Sequence, residues 1–109
     1  MSHTSEASEH RATVLRLWQQ HLGAAFPARL RGAELDGIDM VLLDATVAGC
    51  VSTWLNNGGF LDAERHRILR DCVQDLERVR PLWTEAEDIR YLGRLGQLAV
   101  LVSRPAEQR

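Results

Sequence analysis

The stretch Ile38-Asp39-Met40-Val41-Leu42-Leu43-Asp44-Ala45-Thr46-Val47-Ala48-Gly49-Cys50-Val51-Ser52-Thr53-Trp54-Leu55 decides the fold class. Its first six residues are aliphatic enough for a strand, but the run continues to Leu55 without a turn signal, and strands close after about four to eight residues. An unbroken run this long reads as a helix. Around such a helix Ile38, Val41, Leu42, Val47, Val51 and Leu55 point in several directions, which places it at the centre of a bundle. Ala45, Gly49 and Ser52 or Thr53 form a stripe of small residues along one side. Asn56-Asn57-Gly58-Gly59 then stops the helix, because Asn and Gly accept the left-handed backbone of a C-cap.

Working outward, the segment from Glu9 to about Ala25 carries Val14, Leu15, Trp18, Leu22 and Ala25 on one helical face, and Pro27 ends it. Residues 27–37 read as a connector, with Asp36 and Asp39 expected to cap helix two. Downstream, Asp62 is the expected N-cap of a helix to Arg80 whose buried stripe is Ile68, Leu69, Cys72, Val73, Leu76 and Val79. Thr84 and Glu87 have capping-box spacing for a fourth helix through Tyr91, Leu92, Leu95, Leu98, Ala99 and Val102. The expectation is an all-α chain: a four-helix, mostly antiparallel bundle with a central apolar helix at about 38–56. Residues 1–109 form one domain, with flexible ends at about 1–8 and 104–109.

Composition narrows the chemistry. All 13 basic residues are Arg, so Schiff bases, phosphate-loop lysines and catalytic lysines are excluded. The net charge of −2 gives no basic footprint for nucleic acid, and no apolar run reaches the roughly 20 residues of a bilayer span. Neither nucleic acid nor membrane is therefore an expected partner. No basic-then-apolar signal opens the chain, so a cytoplasmic location with reduced Cys50 and Cys72 is expected. His3, His10, His21 and His66 share no ligand spacing with each other or with the cysteines. No metal, no cofactor and no catalytic residue is named.

The seven residues Ile38 to Asp44 resemble the strand of response-regulator receiver domains that ends in the phosphoacceptor aspartate. A receiver also needs an upstream strand ending in an acidic pair and a downstream lysine. The chain has neither, and none of the receiver's residues is carried over.

Asp44 draws interest without that resemblance, because an unpaired carboxylate in a nearly all-apolar helix is expensive. Arg29, Arg31, Arg90 or Arg94 is its expected partner. In the alternative, Asp44 anchors a small ligand in a pocket between helices two and four, with Trp54 and Tyr91 as further ligand-binding candidates. Helix four has a wider apolar arc than one neighbour needs: Tyr91, Leu98 and Leu101 extend it beyond the Leu92, Leu95 and Ala99 seam, and Trp83 stands just before it. These four are candidate interface residues, and a homo-oligomer or protein partner is expected. The functional expectation is a non-catalytic helical interaction or regulatory module, homodimeric, with a small-ligand-binding bundle as the alternative.

Overall fold

The computed structural model describes residues 2–104. Four helices, α1 (Ser2–Leu22), α2 (Met40–Asn56), α3 (Ala63–Val79) and α4 (Ala86–Ser103), form an all-α bundle. A hairpin of two-residue strands, β1 (Glu34–Leu35) and β2 (Ile38–Asp39), lies between α1 and α2, and short 3-10 turns cover Ala28–Leu30 and Arg80–Leu82.

The deciding stretch divides at Asp39. Ile38 and Asp39 pair antiparallel with Leu35 and Glu34, and the helix starts at Met40. The cause is the dipeptide Asp36-Gly37, whose φ values of 54° and 78° give the two left-handed residues of a tight hairpin turn. Asp36 therefore turns the chain and does not cap α2. Asp39 is the cap, its carboxylate accepting from the Leu42 N–H at 3.1 Å. Asn57 and Gly58 end the helix as expected, with the Gly59 N–H reaching back to the Trp54 carbonyl at 2.8 Å.

α2 and α4 make the middle of the bundle. α2 buries Met40, Leu43, Val47, Cys50, Val51 and Trp54, and α4 packs against all three other helices. Leu69, Leu92, Leu95 and Leu98 have no accessible surface, and truncating any one of them costs about 2–5 kcal/mol. α2 is not apolar without consequence: Val41 and Leu42 stay exposed at 45% and 64%.

Three local expectations change. α1 runs from Ser2, ahead of the expected start near Glu9, and the expected C-terminal end lies almost wholly outside the described residues. The buried face of α1 is Val14, Leu17 and His21, while Leu15 and Leu22 face out and Trp18 is half-buried. Ranking by hydrophobicity chose Leu22 over His21, but the interior holds polar partners for the histidine. The capping box also does not form, since Glu85 is the N-cap of α4, and Glu87 and Asp88 turn to Arg29 instead. Asp62 does cap α3, accepting from the Arg65 N–H at 2.8 Å.

Candidate functional site

Three helices bring polar side chains to one point. Tyr91, in the second turn of α4, donates its hydroxyl to Asp44 Oδ1 at 2.9 Å. His21, in the last turn of α1, places Nε2 at 3.2 Å from that same oxygen and 3.2 Å from the Tyr91 hydroxyl. Tyr91 has a single proton, which goes to the carboxylate. The His21 Nε2–H is then shared between Asp44 Oδ1 and the phenol oxygen, both of which accept. The His21 Nδ1 is buried without a partner among the described residues.

Aromatic and cationic groups close round the cluster. Trp18 stacks on His21 with centroids 6.0 Å apart, Phe26 meets Tyr91 edge-on at 5.3 Å, and the Arg94 guanidinium lies 5.9 Å from the Tyr91 ring centre. Burial pushes the Tyr91 phenol well above its ordinary pKa, and the hydrogen bond to Asp44 and its charge push in the same direction. Tyr91 is thus a fixed donor. Beside the cluster, Arg29 Nε reaches the buried Asp88 at 3.0 Å, pinning the loop after α1 to the first turn of α4. The first arrangement joins three helices and the second ties the loop to one, and Asp44 keeps only 21% of its side chain exposed.

The second place is a groove of about 500 Å³ between α1, α3 and α4, within the usual range of small-molecule sites. Val73 of α3, Val100 and Leu101 of α4, and Trp83 at the α3–α4 link give it an accessible apolar lining, backed by the buried Leu17, Leu76 and Leu92. Gly93 and Gly96 contribute bare backbone. Arg16, Arg80, Arg104 and Glu77 are its charged members. A smaller hollow of about 290 Å³ lies between α1 and α2, lined by Leu15, Trp18 and Leu55 among others. Asp44 lines neither of these two hollows.

The structure brings together Asp44 and Tyr91 of the expected ligand residues, but not Trp54. That indole is buried elsewhere, edge-on to His10 at 5.6 Å and packed under Gly59. None of the four arginines expected at Asp44 pairs with it: Arg29 is taken by Asp88 and Glu87, and Arg94 lies over Tyr91. Of the interface candidates, Trp83 and Leu101 meet in the groove, half-buried. Leu98 and Tyr91 are inside the protomer's own core, at 0% and 6% exposure, and have no surface to offer a partner.

Sequence reasoning missed His21, Gly93 and Gly96. A histidine three residues after Trp18 on a helix gives no sign of a distant carboxylate, but two glycines three apart inside an otherwise strong helical pattern were a readable signal. Cys50 and Cys72 are free and buried, as expected of small core residues, and burial raises the Cys72 thiol to about 11. Among the described residues no three His, Cys, Asp or Glu side chains gather as a metal-holding group, and no helix is long and apolar enough to cross a membrane. No protein-family model matches the chain, and no curated protein or solved structure matches it significantly, so its function is read from this geometry.

Proposed function

We propose that the chain is a non-catalytic helical binding module of interaction or regulatory type, working through the groove between α1, α3 and α4. One observation carries this reading: two interior positions of α4 that border the groove, Gly93 and Gly96, are left without side chains although the chain itself has no need of them there. A Cβ at either position would meet nothing within 4 Å, and neither has the positive φ that demands glycine. Each costs the helix about 1 kcal/mol relative to Ala. The polar cluster at Asp44 supports the same reading from the other side. Its strong donors are spent on joining helices, which leaves the groove as the open, shaped surface.

Self-association through helix four is the competing reading of this same wall, since Trp83, Leu101 and Val100 line the groove and the exposed Ile89 alone lies outside it. The groove is tested with a neutral apolar fluorophore, N-phenyl-1-naphthylamine. Saturable 1:1 enhancement with the folded protein, lost in Gly96→Phe at unchanged or higher melting temperature, is the expected result. Absence of saturable binding, or binding that survives Gly96→Phe intact, would remove the groove as the working surface.

A further inference from the structure

We propose that the groove's occupant is a small amphipathic anion, an alkyl chain bearing an oxyanion head group of the carboxylate kind; this rests on the reading of the groove as the binding surface. The apolar part of the argument is the lining. Val73, Val100, Leu101 and Trp83 offer accessible apolar surface around a volume suited to a small molecule, backed by the buried Leu17, Leu76 and Leu92, and the missing side chains at Gly93 and Gly96 let an alkyl chain lie directly on the α4 backbone.

The charge decides the head group. Arg16, Arg80 and Arg104 come from three different parts of the chain, α1, the 3-10 turn after α3, and the end of α4, yet all border this one groove. Only Glu77 opposes them there, so the groove carries a local charge of +2 in a chain whose net charge is −2. Among the described residues none of the four takes part in an ion pair. Arg29, Arg65 and Arg78 are matched by carboxylates, whereas Arg11, Arg31, Arg67, Arg70, Arg90 and Arg94 are in no ion pair among the described residues either, so what sets Arg16, Arg80 and Arg104 apart is that they gather on one groove. Arginine presents its donors in a fork that fits a planar carboxylate, so three guanidiniums without an ion-pair partner among the described residues, at the rim of an apolar groove, are complementary to an anion with an apolar tail.

The same charges argue against a second copy of the chain in this place. A two-fold interface across the groove would set this net-positive patch against its own copy, and like charges face to face are repelled. The Trp83 indole N–H adds a second unmet demand. It is shut off from solvent without an acceptor among the described residues, on a residue that lines the groove.

The test is displacement of N-phenyl-1-naphthylamine by three ligands with the same ten-carbon tail: decanoate, decanol and decyltrimethylammonium, each below its aggregation limit. Decanoate is expected to compete at concentrations at least about tenfold below the other two, a preference of about 1.4 kcal/mol. In Arg16→Gln/Arg80→Gln/Arg104→Gln, probe binding should persist while decanoate falls to within about twofold of decanol. High salt should narrow the same gap, since these guanidiniums are exposed to solvent ions. Equal competition by decanol and decanoate, or a triple variant that keeps the preference, overturns the anion assignment while leaving the groove reading standing. Failure of the neutral probe itself would overturn both.

Discussion

Replacing Tyr91 by Phe removes one hydroxyl and leaves the ring, so it isolates the hydrogen bond at the meeting point of α1, α2 and α4. The main bond lost is the 2.9 Å donation to Asp44, with the 3.2 Å contact to His21 Nε2 lost beside it, and bonds to charged groups contribute about 1.5–3 kcal/mol. Asp44 keeps its contact with His21 and is 21% exposed, so water and the imidazole recover part of the loss. The expected destabilisation is therefore about 1–2 kcal/mol, or roughly 5–10 °C in melting temperature for a domain of this size. Urea unfolding followed by circular dichroism measures it directly. Combining Tyr91→Phe with Asp44→Ala should give clear non-additivity, with a coupling of about 1 kcal/mol. A single variant within about 0.3 kcal/mol of the parent, together with additive behaviour in the double variant, would refute the claim that this cluster joins the three helices. Alkaline conditions give the same bond a second signature. The Tyr91 pKa is higher in the folded than in the unfolded chain, so its contribution is whole below about pH 10 and is lost as the pH rises beyond that value; Tyr91→Phe should flatten that loss.

Other positions give equally direct outcomes. Gly93→Ala and Gly96→Ala should each raise stability by about 0.5–1 kcal/mol, read as melting temperature, because the helix gains and nothing obstructs the methyl group. Leu98→Ala should cost about 2–5 kcal/mol, and Leu98→Glu should abolish the cooperative unfolding transition in circular dichroism and not merely separate subunits, since Leu98 has no exposed surface. Cys72, held up to about 11 by burial and by nearby acidic groups, should contribute stability that is intact below about pH 9 and lost as the pH climbs towards 11. Cys72→Ala should show a shallower decline over that interval in pH-dependent urea midpoints.

The bundle was legible where the hydrophobic period was strong and its ends were marked. Asp62, the stripe Leu69-Cys72-Leu76-Val79 and the stop at Asn57-Gly58 read correctly because each depends on residues within one or two turns of each other. The hairpin was hidden by its size: two residues per strand leave no alternation to detect, and the Asp36-Gly37 turn was its only mark. The face of α1 was misread because His21 is buried for a reason 23 and 70 residues away in sequence, at Asp44 and Tyr91. Asp44 was rightly expected to need a partner, but an arginine was too strong a presumption. A phenol and an imidazole satisfy the carboxylate instead. The groove was half legible through Trp83 and Leu101. The rest of it needed α1 and α3 to be placed on either side of α4, which no local pattern in the chain encodes.

The groove's role as the working surface is tested most directly by a proton–nitrogen correlation spectrum recorded during titration with decanoate. The account predicts that the Gly93 and Gly96 amides and the Trp83 indole N–H move together along one saturable curve, while the Trp54 indole stays in place. Shifts absent from these groups, or centred on the residues around Asp44 and Tyr91, would contradict it.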